Sequence, residues 1–169
     1  FQNLRLVNEA FPDKALIFTE GCVEKFGLDR VYDWELGERY GYSMLNDFNS
    51  GTVAWIDWNI LLDETGGPNH VGNFCFAPIH ADTRTGQLIY TNSYYYIGHF
   101  SKFVKRGAKR IAASSSRSDL QSTAFLNPDG SIAVVVLNRS EKAFNFKLML
   151  GEKATDVESL PRSIVTIVL

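Results

Sequence analysis

Residues 15–20 read ALIFTE and residues 52–57 read TVAWID, and these two stretches decide the fold of the first part of the chain. In each, a run of apolar or β-forming residues is followed at once by a carboxylate, Glu20 or Asp57. An uninterrupted run of this kind is typical of a strand covered on both faces, as in a parallel sheet. The pattern therefore predicts strands over 15–19 and 52–56.

A helix is predicted between these two strands. Apolar side chains recur at helical spacing from Trp34 to Phe48, and Ser50-Gly51 ends the pattern. A strand, a helix and a second strand over this span form a βαβ unit, in which functional side chains gather at the carboxyl ends of the strands. The residues at those ends are thus the first candidates for chemistry.

Glu20 and Trp58 are the side chains at these ends that invite a functional interpretation. Glu20, followed by Gly21, is either a catalytic acid or a glutamate that caps a helix or pairs with a cation. Trp58 either packs in the core or stacks on the apolar face of a sugar ring, whereas Trp55 is interpreted as core. Position along the chain does not decide between these alternatives.

After residue 105 short strands follow one another with turns between them. A hairpin is predicted over 78–91 and a helix over 92–104, and six strands are predicted from residue 110 to the end. Asn127-Pro128-Asp129-Gly130 has the residues of a hairpin turn. Strands at this spacing favour a β-sandwich. Asn138-Arg139-Ser140 is a glycosylation sequon, a pattern that often occurs by chance.

Composition excludes several classes of protein. The 17 Lys and Arg residues nearly balance 19 Asp and Glu residues, so the basic face of a nucleic-acid binder is not expected. No apolar run approaches the roughly 20 residues of a transmembrane helix. His70, His80 and His99 lack the spacing of a ligand set, so no metal or other cofactor is expected, and His99 is interpreted as a structural, hydrogen-bonded histidine.

The two cysteines, Cys22 and Cys75, are too few for a disulfide scaffold. Two buried thiols are the favoured interpretation, although one disulfide is possible. The chain starts with Phe1 rather than Met, and we therefore expect it to be a processed chain or a piece of a longer one.

Several of these stretches, in order along the chain, resemble glycoside hydrolase family 30, the glucosylceramidase family. The resemblance covers nearly the whole chain and rests on the following residues: FPDKALIFTEGC at 11–22, WE at 34–35, AWIDWN at 54–59, GGPN at 66–69, NF at 73–74, GHFSKF at 98–103 and NPDGS at 127–131. The pair formed by AWIDWN and GGPN is specific.

The resemblance implies a retaining β-glycosidase. In that family the residue matching Glu20 is the nucleophile, Cys22 matches a neighbour in the pocket, and Trp58 matches a tryptophan that contacts the sugar. Asn73 and Phe74 match residues at the pocket rim. The family pattern makes Asp57 a structural hydrogen-bonding residue. The implied fold is the C-terminal part of a (β/α)8 barrel over 1–106, with its last two strands, followed by a β-sandwich over 107–169.

The same resemblance leaves a gap in the chemistry. A retaining glycosidase needs a second carboxyl group about 5–5.5 Å from the nucleophile as acid/base. The family's acid/base glutamate lies in an Asn-Glu-Pro-like motif, and this sequence contains none. We therefore expect the chain alone to be inactive and to cover its incomplete barrel surface by self-association.

The substrate and an alternative function stay open at this stage. Relatives act on glucosylceramide, β-1,6-glucan, fucosides or xylan, and the motifs are nearer to the glucosylceramidase and β-1,6-glucanase branches. The expected partner is a β-glucoside, glucan or glycolipid, and the family suggests a secreted, periplasmic or lysosomal protein. The alternative is a non-catalytic carbohydrate-binding or accessory β-sandwich module.

Overall fold

A computed structural model describes all residues, 1–169. Its helices are α1 (Gln2–Ala10), a 3-10 turn (Leu28–Arg30), α2 (Trp34–Asn49) and α3 (Asn92–Ser101). The first seven strands are β1 (Leu16–Phe18), β2 (Val23–Glu24), β3 (Thr52–Trp55), β4 (Leu61–Asp63), β5 (Cys75–Phe76), β6 (Ile79–Asp82) and β7 (Gln87–Tyr90). The remaining six are β8 (Lys109–Ile111), β9 (Leu120–Leu126), β10 (Ile132–Asn138), β11 (Phe144–Leu150), β12 (Lys153–Ser159) and β13 (Ser163–Val168). The chain divides into two compact units, residues 1–98 and 99–169.

The predicted βαβ unit is confirmed in the first compact unit. β1 and β3 pair in parallel, with Phe18 opposite Trp55, and α2 lies between them along the chain. Both strands are shorter than the apolar runs predict, because each has only the other as a hydrogen-bonded neighbour. α2 buries Leu36, Tyr40 and Leu45, so its apolar stripe forms core as the periodicity predicts.

Two smaller sheets complete this unit. β6 pairs in parallel with β4 and antiparallel with β7, which confirms the predicted hairpin, and β2 pairs antiparallel with β5. α3 ends at Ser101 rather than at 104, because the chain then tightens into a turn in which the N–H groups of Phe103 and Val104 both donate to the Phe100 carbonyl. α1 has no sequence-based prediction, and none of its residues is buried.

The second unit contains the six predicted strands. β13, β10, β9 and β8 form one antiparallel sheet in that order, and β11 with β12 forms a second. Phe144, Phe146 and Leu148 alternate along β11 and pack against a core that includes Ala124 and Val136. Two sheets packed face to face in this way make a small β-sandwich.

Two polar residues of the second unit are structural. Asn138 is 0% exposed, and its amide donates to the carbonyls of Lys142 and Leu160, so its sequon offers no accessible acceptor in the folded chain. His99 Nδ1 lies 2.9 Å from Thr166 Oγ1, which confirms the interpretation of His99 as a hydrogen-bonded histidine. No helix is both long and apolar enough to cross a bilayer.

Candidate active site

Glu20 lies two residues beyond the carboxyl end of β1, where the chain turns toward β2. Its side chain is exposed and has no hydrogen-bond or ion-pair partner within residues 1–169, and no helix begins after it. It is therefore neither a helix cap nor a salt-bridged residue in this chain. Glu20 is a carboxylate without a partner at the carboxyl end of a parallel strand. In barrel folds the active-site residues lie at these strand ends.

The segment that carries Glu20 is joined to the segment that carries Trp58 by backbone hydrogen bonds. Ile56 N–H donates to the Phe18 carbonyl and Trp58 N–H donates to the Gly21 carbonyl, each at 2.9 Å. The parallel pairing thus continues beyond the regular strands. A Cβ on Gly21 would lie 2.8 Å from the Phe18 ring, so glycine allows the chain to pass closely over that ring.

The two tryptophans of the second segment differ in their surroundings. Trp55 stacks on Phe18 with ring centroids 4.5 Å apart, and its indole N–H donates to Asp47. These contacts agree with the interpretation of Trp55 as a packing residue. Trp58 contacts no other ring and is 45% exposed, so the residue is accessible to a ligand.

Asp57, between these tryptophan-bearing positions, is held by Tyr40. The Tyr40 hydroxyl donates to Asp57 Oδ1 at 3.0 Å, while Oδ2 is buried without a partner. Burial raises the pKa of Asp57 to about 6, although the hydrogen bond from Tyr40 opposes this change. Burial also raises the pKa of the Tyr40 hydroxyl, so Tyr40 remains a donor at every physiological pH.

A hydrogen-bonded turn precedes the Asn69–Phe74 segment. Asp63 Oδ1 accepts from the backbone N–H groups of Thr65 and Gly67, and Gly66 has a φ of +79°. His80 is fully buried: Ala77 N–H donates to its Nε2, so Nδ1 carries the proton and donates to the Asp63 carbonyl at 2.8 Å. Burial lowers the pKa of His80, which keeps this neutral tautomer.

The Asn69–Phe74 segment is closed by a hydrogen bond within itself and is tied to β2 at Asn73. Asn73 Nδ2 donates to Glu24 Oε1 at 2.9 Å, and Asn73 N–H donates to Asn69 Oδ1 at 3.1 Å. Phe74 is 42% exposed. Cys22 Sγ lies 3.3 Å from Cys75 Sγ, and both thiols are free. The sequence favours two buried thiols, but only Cys75 is buried and Cys22 is half-buried.

The five candidate residues thus lie on three segments that hydrogen bonds connect: Glu20 and Cys22 on the first, Trp58 on the second, and Asn73 and Phe74 on the third. Sequence reasoning missed Glu24, which holds Asn73, and the proximity of Cys75 to Cys22. Both depend on the pairing of β2 with β5, two strands of two residues each that carry no recognisable periodicity. No group of residues able to hold a metal ion is present in residues 1–169.

Comparison with known proteins identifies the family. Residues 2–104 match the glycosyl hydrolase family 30 TIM-barrel domain, and residues 107–167 match the family's β-sandwich domain. The chain belongs to glycosyl hydrolase family 30. Its fold is the C-terminal part of that family's TIM barrel followed by the β-sandwich.

Individual relatives agree with this assignment. The lysosomal acid glucosylceramidase of Mus musculus is 40% identical over 136 residues, which cover 78% of this chain and 26% of the mouse protein. The crystal structure of SrfJ from Salmonella typhimurium superposes with a TM-score of 0.94 at 35% identity, covering 99% of this chain and 38% of that one. A solved endo-β-1,6-glucanase gives a TM-score of 0.80 at 29% identity, covering 98% of this chain and 37% of that one.

In each comparison the match covers most of this chain but only a minor part of the relative. The chain spans about a quarter to a third of the length of the curated glucosylceramidase relatives it matches.

Proposed function

We propose that this chain is the nucleophile-bearing C-terminal part of a retaining β-glycosidase that hydrolyses β-glucosidic bonds. The relatives are named glucosylceramidase and endo-β-1,6-glucanase, so the proposed substrates are β-glucosides of a glycolipid or a glucan. The observation that carries the proposal is Glu20: an exposed, unpartnered carboxylate at the carboxyl end of a parallel strand.

In the proposed reaction the Glu20 carboxylate attacks the anomeric carbon and forms a glycosyl-enzyme intermediate. A second carboxylic acid protonates the departing oxygen and then, as a carboxylate, takes a proton from the attacking water. Asp57 does not suit the role of acid/base, because its Oδ1 accepts a hydrogen bond from Tyr40 and its Oδ2 is buried. The sequence also lacks the family's Asn-Glu-Pro-like motif, and we therefore propose that the acid/base comes from residues outside this chain and that the chain alone is inactive.

Four neighbouring side chains are proposed to bind the sugar. Trp58 offers an accessible indole on which the apolar face of a sugar ring can stack. Asn73 and Phe74 form the rim, where Glu24 fixes the orientation of the Asn73 amide. Cys22 follows Glu20 by two residues and contributes a small, half-buried side chain beside it.

The exposed apolar residues of the first unit agree with an incomplete barrel. Ile17 on β1 and Val53 on β3 are about half exposed or more, although strands of a parallel barrel are covered on both faces. The isolated chain is therefore expected to self-associate, and light scattering after gel filtration should give a mass above that of one 19.0 kDa chain. A purely monomeric species would contradict this expectation.

A chimera tests the proposed function. Residues 1–169 replace the matching C-terminal part of the solved endo-β-1,6-glucanase, whose remaining part supplies the rest of the barrel. The chimera should hydrolyse β-1,6-glucan, and Glu20→Gln should reduce kcat by at least about 1000-fold, since it removes the nucleophile. Glu35→Gln, an exposed glutamate in the first turn of α2, is the matched control and should leave kcat unchanged.

The outcome separates the proposal from its alternatives. Undiminished hydrolysis by the Glu20→Gln chimera would exclude Glu20 as nucleophile. Hydrolysis of a β-glucoside by the purified 169-residue chain would contradict the requirement for an acid/base from outside. No observation favours a carbohydrate-binding module in residues 107–169, because its three aromatic residues, Phe125, Phe144 and Phe146, are buried or half-buried.

A further inference from the structure

The two cysteines of the chain lie side by side, and one of them, Cys22, belongs to the candidate site. Cys22 follows the Glu20 turn, and Cys75 begins β5, whose backbone pairs with β2 so that Glu24 is opposite Cys75. The two sulfur atoms are 3.3 Å apart. A disulfide bond has a sulfur–sulfur length of about 2.05 Å, so the atoms need to approach by about 1.3 Å.

We propose that Cys22 and Cys75 form a reversible disulfide that ties the Glu20 segment to the Asn73–Phe74 segment. Cys22 is also one of the residues proposed to bind the sugar, but the evidence for the disulfide is the distance between the two sulfur atoms and does not depend on the proposed glycosidase activity. No other cysteine in the chain competes for either partner.

The packing around the pair supports bond formation between these two residues. Cys75 is buried against Leu62 and Ala77, and Cys22 packs partly against the same cluster, so neither residue can move far from the other in the folded chain. The Cys22 thiol donates to Cys75 Sγ, and the Cys75 thiol donates to the Asn73 carbonyl at 3.3 Å. Oxidation removes both S–H donors and frees the Asn73 carbonyl from this contact.

The chemistry balances with a low-molecular-weight disulfide as oxidant. The Cys22 thiol, which is the more exposed of the two, loses its proton and attacks one sulfur of the oxidant, releasing one small thiol. The Cys75 thiol then loses its proton and attacks Cys22 Sγ, releasing the second small thiol. The protein loses two electrons and two protons, and the oxidant becomes two thiol molecules.

The surroundings of Cys22 set the conditions for the reaction. Burial, the contact with Cys75 and the nearby carboxylates of Glu24 and Asp57 raise the pKa of the Cys22 thiol to about 12. The thiolate is the attacking species, so exchange is slow at neutral pH and accelerates as the pH rises. The measurement is therefore best made at a pH of about 8.5, with long equilibration.

The test uses the reduced 169-residue chain in mixtures of reduced and oxidised glutathione, followed by alkylation and mass spectrometry. The expected product is lighter by two hydrogen atoms, and trypsin should release fragment 15–25 linked to fragment 40–84. Half of the folded chain should be oxidised at a certain ratio of oxidised to reduced glutathione. That ratio should be at least about 100-fold lower than the ratio that oxidises half of the same chain in urea. The reason is that folding holds the two thiols in contact, whereas a flexible loop gives only about millimolar effective concentration.

Single variants separate the two steps. Cys75→Ser should stop at a glutathione adduct on Cys22, whereas Cys22→Ser should take up little glutathione because Cys75 is buried. The inference is overturned if the folded wild-type chain is oxidised no more readily than the chain in urea. It is equally overturned if oxidation ends at a stable glutathione adduct. Both readouts are masses of the wild-type chain, so they do not depend on activity or on the folding of a variant.

Discussion

Replacing Asp57 with asparagine should change the stability of the chain more favourably at neutral pH than in acid. Burial raises the pKa of this carboxyl from its ordinary value of 3.8 to about 6. The folded state therefore binds the proton more tightly than the unfolded state does. Between these two pKa values, stability falls as the pH rises, because the ionised carboxylate is less favourable in the folded chain than in water.

The magnitude follows from the difference between the two pKa values. Each unit of pKa difference corresponds to about 1.36 kcal/mol, so the rise in pKa from 3.8 to about 6 corresponds to a loss of about 3 kcal/mol in the free energy of unfolding. Asp57 keeps partial contact with water, which screens its charge, so we discount the figure to about 1.5 kcal/mol. An asparagine keeps the carbonyl that accepts from the Tyr40 hydroxyl but carries no charge at any pH.

The assay is urea unfolding of the wild-type chain and Asp57→Asn between pH 4 and pH 7, followed by tryptophan fluorescence. All three tryptophans lie in the unit formed by residues 1–98, so the signal reports on the unit that contains Asp57. The free energy of unfolding of the variant minus that of the wild type should rise by about 1.5 kcal/mol from pH 4 to pH 7. The difference cancels contributions that do not change with pH. A difference that stays constant over this range would refute the reasoning.

Two further substitutions test the packing of each unit. Gly66→Ala should lower the free energy of unfolding by at least about 2 kcal/mol, because φ is +79° and the new Cβ would lie 2.7 Å from the Cys75 carbonyl oxygen. Gly72→Ala, with φ +73° and open space around it, is the matched control at about 1 kcal/mol, and equal losses in urea unfolding would contradict the steric account. Asn138→Ala should cost about 2–4 kcal/mol in thermal unfolding followed by circular dichroism, since it removes the buried amide that donates to the carbonyls of Lys142 and Leu160 and accepts from the Ser140 N–H. The exposed Asn145→Ala should change stability by less than about 0.5 kcal/mol, and a similar loss in both variants would argue against a special role of the buried amide.

The pattern of apolar residues predicted the main elements because each repeats over a sufficient length. The stripe of α2, the paired runs of β1 and β3, and the strands from β9 to β13 each contain enough residues for a period of four or two to be recognised. Glu20 and Trp58 became candidates for the same reason, since they follow those runs directly. The family motifs added Cys22, Asn73 and Phe74, which no periodicity marks.

Elements of two or three residues had no such signal. β2, β4 and β5 form because their backbone groups find partners far along the chain, as when Glu24 pairs with Cys75. The role of His80 also depends on contacts between distant residues, because its two ring nitrogens form hydrogen bonds with the backbone of Asp63 and of Ala77. A pattern read along the chain does not contain such contacts.

The sequence by itself therefore determined the family, the βαβ unit and the β-sandwich, and it supplied the residues that we propose bind and attack the sugar. Only the tertiary structure decided how those residues are held. In the folded chain Glu20 has no partner, and the Tyr40 hydroxyl is hydrogen-bonded to Asp57. Glu24 accepts a hydrogen bond from Asn73, and the sulfur atoms of Cys22 and Cys75 are 3.3 Å apart. The physical reason is that periodicity and motifs are local properties of the chain, whereas a hydrogen bond, a buried charge or a thiol pair depends on segments that meet only after folding.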